Sequence, residues 1–315
     1  MIVLPTLRQL QFFVALERRR SFSKAAEDCL VSQSTLSSAI KELEALLGCQ
    51  LVDRSTRAFA LTPAGEDVAA RAIPILAMAE DLARNAASRR PLEGPFNLGV
   101  IPTIAPFLLP KVAPRLRKEF PKLQLYLRED LTENLVERLS AGLIDAAVLA
   151  FPYEVPGADV IEVGDDPFWL ACSPDDPLAK KEAVDLEDLK DANLLLLEDG
   201  HCLRSHALDA CKLRRPDAAA FGATSLFTLA QMVHSGLGAT LLPEMAVKAG
   251  FAATAGLEAR PFAPPVPVRR IGLAWRRGSG RRDEAHAIAA VLKSAMGENA
   301  AGAKKSGKKA AAKVA

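Results

Sequence analysis

SFSKAAEDCLVSQSTLSSAIKELEALLG, residues 21–48, contains two amphipathic runs with a turn of three or four residues between them. Ser21 or Ser23 can cap the first run, which ends at Cys29 and Leu30. Ser32 can cap the second, Gln33 to Leu47, because its hydroxyl accepts from backbone N–H groups that a helix start leaves unpaired. Leu36, Ile40, Leu43, Leu46 and Leu47 recur at the spacing of one helical face, and Gly48 stops the helix. Two helices joined so tightly form a helix-turn-helix. The second would present Ser32, Gln33, Ser34, Thr35, Ser37 and Ser38 on its outer N-terminal side. Such side chains donate and accept hydrogen bonds without strong charge, which suits base edges and phosphates, although most polar helix faces are only solvated.

Upstream, Leu7, Leu10, Phe13, Val14 and Leu16 predict another amphipathic helix over residues 6–19. Downstream, LVDRSTRAFALT (residues 51–62) alternates like a small hairpin with Arg54 and Arg57 at its tip, a wing able to touch phosphate. Residues 1–60 hold eight basic and six acidic groups, so binding to nucleic acid depends on where the charges point and on pairing of chains. Thr62 and Pro63 read as the cap and first-turn proline of a long helix reaching about Arg90. Ile73, Ile75, Leu76, Met78 and Leu82 give that helix an apolar side, and Pro74 predicts a kink in it. Pro91 to Pro95, around Gly94, reads as a hinge.

From Phe96 on, FNLGVI, LQLYLRE, DAAVLA, FWLACS, NLLLL and ATLLP read as strands between helical stretches such as residues 107–118 and 131–141. That alternation predicts an α/β domain with largely parallel sheets, whose ligands sit at the carboxyl ends of strands. Thr103, Thr132, and Thr224 with Ser225 fall at such junctions, where Ser and Thr are also ordinary helix caps. The predicted layout is residues 1–61, an all-α winged helix-turn-helix; 62–94, a linker helix and hinge; 95–299, a two-lobed α/β regulatory domain; and 300–315, a tail. AGAKKSGKKAAAKVA, residues 301–315, carries five lysines and no acid, and predicts an unfolded basic tail that solubilises or weakly attracts DNA. With no run of eighteen apolar residues and no apolar plug near the start, the expected location is cytoplasmic, with no membrane partner.

LLLLEDGHCLRSHALDAC, residues 194–211, holds the second informative feature. Four leucines suit a strand buried on both faces, Gly200 breaks it, and Cys202 opens a short helix ending near Cys211. At a helix N-terminus the free N–H groups favour a thiolate, and His201 and Arg204 would push the same way. A lone cysteine is more often a small buried hydrophobe, but a second one nine residues on changes the weighing. In one helix nine residues rise ~13.5 Å and turn the two sulfurs to opposite sides, so a disulfide would have to refold the segment. Cys202 and His206 could share a ligand face but Cys211 could not, which disfavours zinc, and no metal or other cofactor is expected. Five scattered cysteines in a reducing cytosol fit a transient bond better than a secreted framework. Cys29, Cys49 and Cys172 read as inert buried residues, His206 and His234 as structural or surface groups.

The ordered series AA, VSQ-x-TLS, I-x-x-LE, LG, L-x-x-R and LT-x-AG over residues 8–65 resembles the winged helix-turn-helix of the LysR-type bacterial transcription regulators. Ser34 stands where that family often has proline or alanine. The resemblance implies a linker helix that pairs two chains and a periplasmic-binding-protein-like regulatory domain, its lobes near 95–165 with 268–298, and 166–267. LGVIPTIAPFLLP, FPKLQLYLRED, GHCLR with its second cysteine, ATSLFTLAQMVHSGLGATLLP and RRIGLAWRRGS are similar to the hydrogen-peroxide-sensing branch of the family. By that resemblance Cys202 is the peroxidatic thiolate and Cys211 the resolving thiol. Thr103, Thr132, His201 and Arg269 match positions that hold peroxide or activate the cysteine, while Ser205 and Phe227 replace residues that are often acidic. Implied partners are double-stranded promoter DNA, hydrogen peroxide, RNA polymerase, a thiol reductant of the glutaredoxin or thioredoxin type, and further copies in a homodimer or homotetramer. A small organic effector with incidental cysteines is the competing regulator. A thiol peroxidase is disfavoured: no metal-spaced cluster, G-x-S-x-G elbow or phosphate loop occurs, and the chain is expected not to be an enzyme.

Overall fold

The computed structural model describes residues 3–53, 59–86, 91–190, 192–211 and 222–311. The chain divides into two packed units, Met1–Arg89 with Ser140–Leu143, and Arg90–Leu139 with Ile144–Ala315.

In the first unit α1 (Leu7–Arg19) starts from a capping box in which Thr6 and Gln9 exchange hydrogen bonds. Ser21, not Ser23, caps α2 (Phe22–Asp28), and Ser32 caps α3 (Gln33–Leu47), which ends at Gly48 with φ +69°. Phe13, Leu16, Leu36, Ile40, Leu43 and Leu51 form the core, while Leu47 at the end of α3 is exposed. The base of the wing is a two-residue pair, β1 (Val52–Asp53) antiparallel to β2 (Ala60–Leu61). Glu44 Oε1 pins it by accepting from the N–H groups of Leu51 and Val52. Arg54 and Arg57 lie outside the described residues.

Thr62 then caps α4 (Pro63–Ala86), its hydroxyl accepting from the Gly65 N–H at 3.0 Å and donating to the Gln50 carbonyl at 2.6 Å. A Cβ on Gly65 would fall 2.1 Å from the Leu51 carbonyl oxygen, which is the physical reason for glycine there. α4 continues as one helix with Pro74 inside it. Ala69, Ala72 and Leu76 pack inward, and Ile75, Met78 and Leu82 are exposed.

The second unit is built on seven strands: β3 (Gly94–Val100), β4 (Leu123–Glu129), β5 (Ala146–Phe151), β6 (Ala158–Cys172), then β9 (Thr240–Pro243), β10 (Glu258–Pro261) and β11 (Val268–Arg276), in the order β10-β6-β11-β5-β3-β4 with β9 also on β6. Between them come α5 (Ala105–Glu119), α6 (Thr132–Ser140), the short parallel pair β7 (Leu196–Leu197) and β8 (Gly222–Ala223), α7 (Cys202–Ala210), α8 (Leu226–His234), α9 (Glu244–Lys248) and α10 (Phe251–Thr254). Among the described strands β3 with β4, β3 with β5, and β7 with β8 pair parallel, while β11 and β6 run antiparallel to their neighbours, so the largely parallel expectation is corrected to a mixed sheet. The cause is β11, which returns from late in the chain to lie between β5 and β6. The leucine run is also less regular than expected: only Leu196 and Leu197 form a strand, and Leu194 makes an isolated bridge to Ala239. Gly94 and Pro95, expected in the hinge, already belong to β3.

The last helix, α11, runs Arg282–Ala311, so the lysine-rich stretch as far as Ala311 continues a helix where an unfolded tail was expected, and residues 312–315 lie outside the described residues. Alanine and lysine are strong helix formers, and no proline interrupts the run.

Candidate functional site

Gly200, at φ +97°, turns the chain out of β7 so that His201 occupies the N-cap and Cys202 the first position of α7. The Cys202 thiol thus lies where helix N–H groups are unpaired, as its sequence position suggests. Around it are Thr132, the first residue of α6; the backbone of Ala150 on β5; and Arg269 on β11, which in turn holds Thr103, after β3. These are the carboxyl ends of the parallel strands β3, β4 and β5, completed by the antiparallel β11.

Arg269 is the group that organises this pocket. It is 1% exposed, and antiparallel register places it opposite Asp166 on β6. Its Nε and Nη2 donate to Asp166 Oδ2 at 3.0 and 2.9 Å, Nη1 to Thr103 Oγ1 at 2.8 Å, and Nη2 to the Thr103 carbonyl at 3.0 Å. Asp166 Oδ1 accepts from the Met245 N–H, and burial pushes its carboxyl up against the pull of Arg269. Asp166 escaped the sequence reading. A signal existed: an arginine on a buried strand needs a carboxylate opposite, and the Asp165–Asp166 pair was at hand. Strand alternation also separates the two arginines, since Arg270 is exposed and paired with Glu162 at 2.6 Å.

His201 and Arg204, expected to act on the Cys202 thiol, are each held by other partners. Arg204 donates to the Leu197 carbonyl at 3.0 Å and pairs with Asp199 at 3.2 Å. His201 bonds to the backbone of Thr224, and burial pushes its ring pKa down. Burial also pushes the Cys202 thiol up, and the groups that pull it back are Thr132, Arg269 and the backbone N–H groups at Cys202 and Ala150. The Thr132 hydroxyl is buried and makes no hydrogen bond of normal geometry, although it stands near enough to the sulfur to favour a thiolate.

Cys211 is the C-cap of α7, buried, its thiol pushed up to about 12 by burial. All five cysteines are free, and α7 is one helix between the two of interest. Burial likewise raises Cys172, to about 11, and Cys29. Cys29 and Cys49 are half-buried, contrary to the expectation of buried residues, because each sits at a helix end. His234 is exposed and bonds to the Gly256 carbonyl, and Ser205 and Phe227 are exposed. Ser225 caps α8. Among the described residues no group of three or more His, Cys, Asp or Glu could hold a metal, and no helix is long and apolar enough to cross a membrane.

On the first unit, Ser32, Gln33, Ser34, Thr35 and Ser38 are exposed and Ser37 is half-buried. Ser32 is committed to the cap, bonding the Thr35 N–H and hydroxyl at 3.1 and 2.7 Å. Ser23 donates to Gln33 Oε1 at 2.9 Å, which steadies that side chain with its amide N–H groups available.

Two family descriptions match the chain: "Bacterial regulatory helix-turn-helix protein, lysR family" over residues 7–66, and "LysR substrate binding domain" over residues 89–297. The HTH-type transcriptional regulator EstR of Acinetobacter baylyi is 46% identical, over 78% of this chain and 82% of that protein. A probable hydrogen peroxide-inducible genes activator of Mycobacterium avium is 43% identical over 91% and 93%. The DNA-binding transcriptional dual regulator OxyR of Escherichia coli is 38% identical over 92% and 95%. Among solved structures, full-length OxyR from Pseudomonas aeruginosa superposes with a TM-score of 0.76 at 36% identity, covering 92% of this chain and 98% of that one. A hydrogen-peroxide-bound OxyR mutant of Corynebacterium glutamicum gives 0.65 at 38% identity, covering 97% and 98%.

Proposed function

Since the chain belongs to the LysR family of bacterial regulatory helix-turn-helix proteins, we propose that it is a peroxide-responsive, DNA-binding transcription regulator switched by Cys202 and Cys211. One observation carries the reading: Cys202 opens a helix beside the unpartnered Thr132 hydroxyl and the buried Arg269–Thr103 pair, with a second thiol at the far end of that helix. The Cys202 thiolate attacks one oxygen of hydrogen peroxide. A sulfur–oxygen bond forms, the oxygen–oxygen bond breaks, and the departing hydroxide takes a proton to become water. Thr132 and Arg269 donate toward the oxygens where charge develops, and Thr103 is held by Arg269. Cys211 then attacks the sulfenic sulfur, a second water leaves, and the two thiols have given two electrons to one peroxide.

That bond cannot form across an intact α7, so the segment must unwind. The refolded segment alters packing between regulatory domains, and recruitment of RNA polymerase follows at promoter DNA held by α3 and the wing. Exposed Ile75, Met78 and Leu82 on α4 suit pairing of chains into a dimer or tetramer. A thiol reductant of the glutaredoxin or thioredoxin type resets the switch. The role is regulatory, not catalytic turnover. Replacing Cys202→Ser tests the reading: target genes should lose peroxide induction while DNA binding persists. Normal induction in that variant contradicts it and favours the competing regulator, one controlled by a small organic effector.

A further inference from the structure

His206 lies one helical turn beyond Cys202, is 5% exposed, and has Nε2 2.9 Å from the carbonyl oxygen of Pro152, just past β5. A carbonyl only accepts, so Nε2 carries the proton and Nδ1 of the neutral ring keeps a bare lone pair. That Nδ1 is buried without a hydrogen-bond partner. A second ring proton would enter a dry site with no acceptor. Burial is the largest influence against it and outweighs the Pro152 bond, which favours the charged ring; Arg269 on β11 adds to the burial, and Asp209 on α7 opposes it. Asp166 on β6 neutralises Arg269; Cys202, His201 and Arg204 are further titratable or charged groups at this end of α7, and Tyr153, which follows Pro152, is coupled to Cys202. The ring in place is therefore neutral and tied to the sheet.

We infer that His206 is a positioning residue, a latch that holds α7 on the sheet in the dithiol form and takes up a proton when the helix is released. The inference rests on the disulfide reading above. Joining Cys202 to Cys211 unwinds α7, breaks the bond to Pro152 and returns the imidazole to water, where it takes a proton near pH ~6.5. The helical form disfavours imidazolium, so acid favours the released, linked form, and the effect fades as pH rises above about 6.5. The preference can be read in exchange with glutathione. One protein dithiol and one glutathione disulfide give one protein disulfide and two glutathiones, transferring two electrons and two hydrogens with no net proton while every thiol is protonated. Any proton taken up then reports on other side chains.

Full-length wild type, His206→Gln and His206→Ala would be equilibrated at a fixed glutathione ratio between about pH 5.5 and 7.5, and the Cys202–Cys211 link quantified by peptide mass. For a released ring of ordinary pKa, the linked-to-unlinked ratio in wild type should be higher at the acid end, by up to about tenfold. Glutamine keeps an N–H for Pro152 but does not titrate, so His206→Gln should match wild type near pH ~7.5 and lose that slope. His206→Ala loses the bond and should raise the ratio about fivefold near pH ~7.5. A glutamine variant that keeps the wild-type slope assigns the proton elsewhere, to His201 first, and overturns the inference, as does an unchanged ratio in the alanine variant. Absence of any link in wild type overturns the disulfide reading itself and the latch with it, an outcome distinct from a link that ignores residue 206.

Discussion

A buried hydroxyl with no partner is a standing cost to the fold, and Thr132 carries one next to Cys202. Thr132→Val should therefore leave stability unchanged or raise it by up to about 1 kcal/mol in urea unfolding, yet slow the reaction of Cys202 with peroxide about tenfold. A variant that is less stable and equally fast would show that the hydroxyl serves the fold. Cys211 is the second residue whose cost is visible. Its thiol is raised from 9.0 to about 12 by burial, so the folded form holds its proton more tightly than the unfolded form. The stability gained is complete below the unfolded value and is withdrawn as pH climbs toward the folded one, by about 1.4 kcal/mol per unit. Denaturation measured from about pH 9 to 10.5 should fall less steeply for Cys211→Ala than for wild type. At this scale the spacing marks the two cysteines as a pair to watch, and only the resemblance assigns them roles. Asp166 was not legible, because what makes it special is the arginine that strand register sets opposite it.

Elements that declare themselves by local chemistry were legible nearly to the residue. Ser32 and Gly48 bracket α3 as cap and stop, and Cys202 and Cys211 bracket α7. Gly65 marks a subtler constraint, the approach of the α4 start to the Leu51 carbonyl. Gly65→Ala should cost the helix-turn-helix unit about 3 kcal/mol or more and weaken DNA binding, read by thermal unfolding and by titration with duplex DNA. Wild-type behaviour of that variant would mean the wing base can shift freely. Elements set by distant partners were poorly legible. β11 was not among the expected strands although RRIGLAW alternates, and the first half of β6, ADVIEVGDDP, is broken by Asp, Gly and Pro that a central strand usually avoids. Both exist because β11 is sandwiched between β5 and β6, a pairing across more than a hundred residues that leaves no local mark.

For the molecule as a whole, the separation into a helix-turn-helix unit and an α/β unit follows from a change of periodicity near residue 90, and packing divides the chain there too. The linker helix belongs by its packing to the first unit, since Ala69, Ala72 and Leu76 join that core. A sensor, unlike a peroxidase, responds once and waits. With a thiol reductant present, peroxide consumption should stay near a few equivalents per chain over minutes; sustained turnover would instead mark an enzyme. Full-length reduced protein, treated with one equivalent of hydrogen peroxide, alkylated and digested without reductant, should yield a peptide linking Cys202 to Cys211 that is absent before treatment, with Cys29, Cys49 and Cys172 still alkylated. An unlinked Cys211 after Cys202 has been oxidised, or a link formed by another pair, would contradict the disulfide reading.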